Sequence, residues 1–407
     1  MAKTKCEEVN DLLSEEECKI IVERAIGSRD FHLVSYRIEN TSGENIGFLG
    51  DYFRLSTVIE NGPNTVKQQY FIKALPVDKE QRNFLRESGI FQKEVTLYET
   101  LLADFRIYSK TRWLPKCFYS RSDIIVLEDL FVQSYYHIPK NNEFTKKNVK
   151  TALSSLAALH ASSIAYELHT NVKIGEKYKE LLFETSIDSS IDWFITGIKA
   201  IRDAAALHPK FQSEAHQKFL ANEFLHKIEP IYDTVNPSTE FRNVLCHRDC
   251  WGRNIMFKKD EDSSILVDFQ ICRYCPPAID VLFCIYINTT RKVRDAILND
   301  CLEGYYESFK RELKALEINV DDHITWSEFL RSCDALKLMP LVYYGIINTI
   351  VYLPNDMLTR IKNEDPEKFR YYAYVNRSAI VLDQIEKDPE YKKTIFEAVE
   401  ELVEFLF

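Results

Sequence analysis

Residues 246–257 read Cys246-His-Arg-Asp249-Cys-Trp-Gly-Arg-Asn254-Ile-Met-Phe257, and a short apolar run further on ends in Val267-Asp268-Phe269-Gln270. The pattern is H-x-D-x-x-x-x-N followed by a second acidic position. Transfer of a phosphoryl group asks a protein mainly for positioning and charge. One carboxylate must lie by the attacking hydroxyl, and hard oxygen ligands must hold magnesium against the phosphates. Asp249 suits the first task, orienting the hydroxyl and accepting its proton. Asn254 and Asp268 suit the second. His247 is expected to brace the loop by hydrogen bonding rather than to touch substrate. Turn chemistry alone would explain an Asp and an Asn in a polar loop. A further Asp after an apolar strand, at the expected distance, argues for catalysis.

Two positions upstream complete such a site. Lys73 lies inside the apolar strand Tyr70-Phe-Ile-Lys-Ala-Leu75, where an ammonium can reach the α- and β-phosphates of a nucleotide. Glu94, in the helix that follows, can pair with it, and Glu99 is a nearby competitor. Gly43-Glu-Asn45-Ile-Gly47-Phe-Leu-Gly50 falls where a phosphate-covering hairpin belongs, since glycines let backbone N–H groups approach phosphate oxygens. Ile125-Val-Leu-Glu128-Asp-Leu130 is expected to be a hinge whose backbone hydrogen-bonds adenine. ATP and Mg2+ are therefore the expected cofactors.

Composition narrows the partners. The chain has 407 residues, 45% hydrophobic and 28% charged, which is globular usage. A net charge of -10 argues against a nucleic-acid binder, which needs a basic face. The N-terminus is charged and lacks a signal-peptide core. The longest apolar stretch, Leu338 to Leu353, is interrupted by Pro340 and Asn348 and is short for a membrane span. It reads as a buried helix, or as an apolar wall for an acceptor. Ten irregularly spaced Cys fit a reduced, cytoplasmic setting. Cys246, Cys250, Cys272 and Cys275 could be imagined as a zinc site, but their spacing is irregular. His160 and His208 are scattered and form no evident ligand cluster.

Periodicity divides the chain into two lobes, 1–130 and 131–407. A helix starts at Ser14 with a capping box to Glu17. Strands are expected over Phe31–Glu39, Tyr52–Ile59 and Lys67–Leu75, then one helix over Glu80–Leu102, then two short strands within Cys117–Leu130. Beyond Asn142 helices dominate, beginning with Lys146–His169. Asn243–Phe269 is the exception, with two short strands flanking the polar loop. The fold class expected is α+β: a bilobal protein-kinase-like fold, β-rich at the N-terminus and mainly helical after it.

These residues also resemble a known group. Cys246-His-Arg-Asp249-x-x-x-x-Asn254 with Asp268-Phe-Gln270 is similar to the insect ecdysteroid kinase-like family, itself similar to choline kinases and aminoglycoside phosphotransferases. The resemblance takes in Gly43-Glu-Asn45, Lys73, Glu94-x-x-Leu-Tyr98, Leu127-Glu-Asp-Leu130, Leu156-Ala-Ala-Leu-His-Ala161 and Pro277-Ala-Ile-Asp280-Val-Leu-Phe283. It implies that Asp280 braces the catalytic loop, and that the γ-phosphoryl group of ATP passes to a hydroxyl of an ecdysteroid or another hydroxylated small compound, in hormone inactivation or detoxification. Two departures stand out. The family usually has His-Gly-Asp where this chain has His247-Arg248-Asp249, and Gly47-Phe-Leu-Gly50 replaces small polar residues. Arg248 resembles protein kinases. Against a protein kinase, only 12 positions separate Asp268 from Asp280, little room for an activation loop. A non-catalytic ATP-binding module is the other alternative, disfavoured by the completeness of Lys73, Glu94, Asp249, Asn254 and Asp268. The acceptor hydroxyl is expected to enter from the helical lobe.

Overall fold

A computed structural model describes residues 12–41, 50–139, 142–354 and 357–407. The chain forms two compact units, and no single cut separates them. The first takes residues up to Tyr108, Arg112–Ile138 and the returning segment Arg253–Gln270. The second takes Ser109–Thr111, Pro139–Gly252 and Ile271–Phe407. The class is α+β, with strands concentrated in the first unit and helices in the second.

The first unit opens with helix α1 (Glu15–Ile26). Its capping box forms as the spacing predicts: the Ser14 hydroxyl accepts from the Glu17 amide, and the Glu17 carboxylate accepts from the Ser14 amide at 2.7 Å. Strands β1 (His32–Asn40), β2 (Asp51–Asn61), β3 (Asn64–Ala74), β4 (Cys117–Arg121) and β5 (Ile124–Glu128) build an antiparallel sheet in the order β1-β2-β3-β5-β4. Alternation on β2 turns Phe53, Leu55, Thr57 and Ile59 inward. Phe53, Leu55 and Ile59 close over Cys18, Ile21 and Val22 of α1 together with Ile72 and Val126. Each such side chain taken from water is worth about 1.5–3 kcal/mol.

The single helix expected over Glu80–Leu102 is in fact three: α2 (Lys79–Glu87), α3 (Ile90–Glu99) and α4 (Leu101–Phe105). Gly89 breaks it with φ +68, a backbone that glycine adopts at little cost, and Thr100 breaks it again. The fresh start at Ile90 sets which face of α3 is buried, and that face carries Glu94. Strands β6 (Tyr135–Tyr136), β8 (Ile255–Lys258) and β9 (Ser264–Leu266) make a second small sheet in this unit.

In the second unit, β7 (Val244–Cys246) pairs, among the described residues, only with β10 (Arg273–Cys275), so the polar loop after Cys246 leaves a two-stranded ribbon. Helix α5 (Lys146–Thr170) is buried almost all round from Ala152 to Glu167, and its Ala and Ser residues let neighbours approach closely. The Ser163 hydroxyl accepts from the Leu245 amide at 2.8 Å and fixes β7 against it. Around them stand α6 (Asp192–Leu207), α7 (Ala278–Ile287), α8 (Arg291–Lys314), α9 (Leu338–Val351) and α10 (Pro389–Leu406). The stretch Leu338–Ile346 is buried throughout and packs against α6, α7 and α10, the role of a core helix. No described helix is long and apolar enough to cross a membrane.

Candidate functional site

The first unit gathers one cluster of charge. Lys73 sits on β3 opposite Tyr52 of β2 and Ile125 of β5, with its side chain 5% exposed. Its ammonium donates to Glu94 of α3 at 2.5 Å and to Asp268 at 2.9 Å. Burial opposes a charge on Lys73, but Asp268 and Glu94 outweigh it and hold the ammonium well above the ordinary lysine range. Burial pushes the Glu94 carboxyl up, and Lys73 opposes that. The second Glu94 oxygen accepts from the Phe269 amide at 3.1 Å. Glu99, the competitor, instead accepts from Ser120 at 2.8 Å. Gly50 presses on the same place: a Cβ there would stand 3.2 Å from the Ala74 carbonyl and 3.6 Å from Lys73 Cγ.

Asp268 has φ +69, a left-handed backbone uncommon outside glycine. The Val267 amide donates to the Asn254 carbonyl at 2.9 Å, so the chain segments bearing Asn254 and Asp268 run side by side. A side-chain amide and a carboxylate on these neighbouring segments are of the donor type that a magnesium–nucleotide pair takes.

At the expected hinge, the Glu128 carboxylate accepts from the Lys116 amide at 2.7 Å and pairs with Arg112 at 2.5 Å. The Leu130 carbonyl accepts from Gln133 and Tyr135. Between them Asp129, with its carboxylate fully buried, pairs with Arg54 of β2 at 2.6 Å. That ion pair has no spacing rule to announce it. Gly43, Asn45 and Gly47 lie outside the described residues.

The second unit presents Asp249, partly exposed, just after β7. Its amide donates to His247 Nδ1 at 3.2 Å, and its carbonyl accepts from Trp251. His247 is fully buried. Asp280, the first-turn acid of α7, accepts from the His247 amide at 2.6 Å and the Arg248 amide at 2.8 Å. Burial alone would raise the Asp280 carboxyl, but His160, His247 and the Arg248 amide hold it below the usual carboxylate range. His160 bridges Asp280 at 3.1 Å and the Tyr305 hydroxyl at 2.8 Å. Downstream, Asn288 donates to the Cys250 carbonyl at 2.8 Å, a hold that the sequence reading missed.

His160 is therefore not isolated, as the sequence had suggested. It stands with Cys246 and Asp280 in a buried group whose ligand atoms lie within 4.8 Å of one another. Hydrogen bonds already engage that group: Asp280 as above, and Cys246, whose thiol donates to the Cys275 carbonyl. Burial pushes the Cys246 and Cys250 thiols well above their ordinary range, which suits inert packing.

Residues 43–318 match the model of the ecdysteroid kinase-like family. No curated protein matches the sequence. Among solved structures, the chain is similar to an ethanolamine kinase of Plasmodium vivax at 13% identity, covering 86% of this chain and 89% of that one, with a TM-score of 0.42. It is similar to a macrolide 2′-phosphotransferase type I at 13% identity over 89% and 97% of the two chains, TM-score 0.40. A thermostable aminoglycoside phosphotransferase in ternary complex with ADP and hygromycin B is a further likeness, at 11% identity over 95% and 97%, TM-score 0.36.

Proposed function

The chain belongs to the ecdysteroid kinase-like family, and on that premise we propose that it transfers the γ-phosphoryl group of ATP to an alcohol hydroxyl of a small molecule. The observation that carries the reading is the buried Lys73 ammonium held by Glu94 and Asp268. A cation so deeply buried costs several kcal/mol even when paired. A site for nucleotide phosphates gives that cost a use.

In the proposed reaction Lys73 meets the nucleotide phosphates, and Glu94 keeps its ammonium extended. The backbone of Glu128–Leu130 receives adenine. Asn254 and Asp268 would hold magnesium, which would supply charge neutralisation for the transferring group. Asp249 orients the acceptor hydroxyl. The acceptor oxygen bonds to the γ-phosphorus, the bond to the ADP oxygen breaks, and the hydroxyl proton passes to Asp249. His247 and Asp280 hold the Asp249 loop in shape. The acceptor is a hydroxylated compound such as an ecdysteroid, and the setting is cytoplasmic.

Mass spectrometry of the protein with MgATP and a panel of ecdysteroids, plant phenolic glucosides, choline and an aminoglycoside tests this. One acceptor should gain a single phosphoryl group. Asp249→Asn should lower that turnover at least ~100-fold while ATP affinity holds. Wild-type turnover in the variant removes Asp249 as base. A wild-type protein that binds no ATP overturns the whole reading.

A further inference from the structure

The face of the main sheet that turns away from α1 carries a second ion pair. Alternation on β2 sends Phe53 and Leu55 to the core and Tyr52 and Arg54 to the other face. Arg54 stands opposite Phe71, and Phe71 opposite Leu127, so they make a row across β2, β3 and β5 that ends beside the expected hinge. Lys73 lies two residues beyond Phe71 on the same face, roughly 7 Å along the strand. Arg54 is thus on the hinge side of the residue proposed to meet the phosphates. All of these residues belong to the first unit.

Asp129 receives that row. Its carboxylate is fully buried, whereas the Arg54 side chain is 35% exposed. Oδ2 accepts from Arg54 Nε at 2.6 Å, and Oδ1 accepts from the Phe131 amide at 3.0 Å. The second bond is an Asx turn, which closes a ring around the Asp129–Leu130 peptide. The direction of the Leu130 N–H therefore follows the set of the Asp129 carboxylate, and Arg54 fixes that set. Leu130 is itself buried. Its carbonyl accepts from Gln133 and Tyr135, but among the described residues its amide has no acceptor. A buried backbone donor without a partner is rare. Two leucines could tie β2 to this segment without taking a carboxylate out of water. What the ion pair adds is a fixed orientation.

We propose that Arg54 is a positioning residue for base recognition: through Asp129 it holds the Leu130 amide toward the edge of the purine, and so selects a nucleotide with an acceptor there. The proposal rests on the kinase reading above and adds how the base is chosen. Adenine presents an acceptor at its ring N1, whereas guanine presents an N–H. A fixed donor suits the first and sets the second donor against donor. Arg54 acts through Asp129 and does not itself touch the base.

Calorimetry with MgADP, MgGDP and magnesium tripolyphosphate reads base choice without an acceptor or any transfer. The wild type should bind MgADP at least ~10-fold more tightly than MgGDP. Arg54→Leu alone would strand the buried carboxylate, so it is combined with Asp129→Asn, whose Oδ1 still accepts from the Phe131 amide. In that double variant the preference should shrink to within ~3-fold, with tripolyphosphate affinity within ~2-fold of wild type. Arg54→Lys keeps a cationic donor for Asp129 and should keep most of the preference. An unchanged preference in the double variant overturns the proposal. Equal losses of MgADP and tripolyphosphate affinity overturn it too, since a purely structural pair would act on both alike. A wild type that binds MgADP and MgGDP equally overturns the proposal and leaves the kinase reading intact. A preference lost in the double variant and kept in Arg54→Lys, with no acceptor phosphorylated by the wild type, upholds the positioning role and counts against the kinase reading. A wild type that binds neither nucleotide overturns both.

Discussion

Lys73 and Glu94 depend on one another unequally. Replacing Lys73 by Met strands the Glu94 carboxyl in the interior beside Asp268. Removing one partner of a buried pair costs about 3–5 kcal/mol. Lys73→Met should therefore lose both nucleotide binding and stability in a urea titration. Adding Glu94→Leu should restore most of the stability and none of the binding. If the single variant were as stable as wild type, Lys73 would not be the partner that keeps Glu94 charged. At this scale the sequence was legible where a motif has fixed spacing. Asp249, Asn254 and Asp268 were picked out because a short loop and one strand relate them. Lys73 was visible as the one charge in an apolar run. The choice of Glu94 over Glu99 needed the orientation of α3, which spacing alone left open. Arg54–Asp129 and the link through His160 were invisible, because side chains far apart in the chain meet through the fold and obey no local pattern.

Among the elements, α1 is tied to β4 by a carboxylate. Glu17 accepts from the Tyr119 hydroxyl at 2.8 Å and pairs with Arg121, which also donates to the Leu12 carbonyl at 2.9 Å. Burial would raise the Glu17 carboxyl, but Ser14, Tyr119 and Arg121 pull it down to about 2. A carboxyl depressed in the folded state adds stability above its unfolded value of 4.5 and loses it as pH falls toward about 2. After solvent screening that contribution is about 1 kcal/mol. Glu17→Gln should be less stable than wild type at pH 7, and the gap should close between about pH 4.5 and 2. A gap unchanged across that range would mean the carboxylate charge is not what binds α1 to β4. Gly197 makes a second case. A Cβ there would come within 2.8 Å of Ile346 Cγ2, so α6 and α9 meet too closely for a methyl group. Gly197→Ala should cost about 1–3 kcal/mol, read as a lower melting temperature. The strands of the main sheet and the helices α1, α5 and α9 could be read from the sequence pattern. The break at Gly89 could not, because the apolar positions on either side continue at helical spacing and only the left-handed backbone ends the run.

Over the molecule as a whole, the second unit is fastened late in the sequence. Arg294 of α8, 1% exposed, pairs with Glu401 of α10 and lies over the rings of Tyr286 and Tyr344 at 4.1 and 5.2 Å. Glu401→Ala leaves that guanidinium buried without its carboxylate and should cost about 3 kcal/mol or more. A melting temperature within error of wild type would show the pair to be dispensable. The first unit is fastened late in another sense. The residues that meet at Lys73 are 195 positions apart in the chain, and Phe269 reaches Glu94 across 175. A ribosome adding about 5–20 residues each second makes β3 roughly 10–40 s before it makes Asp268. During that interval the five-stranded sheet exists as sequence while β8, β9 and one of the two partners of its buried ammonium are not yet synthesised. The second unit begins to emerge before the first can be finished. Nascent chains halted short of residue 253 should then show a sheet open to brief proteolysis, with protection arriving only once the 253–270 segment is free to dock. The order of synthesis, rather than the order of elements in the fold, decides when the Lys73 ammonium first has both of its carboxylate partners.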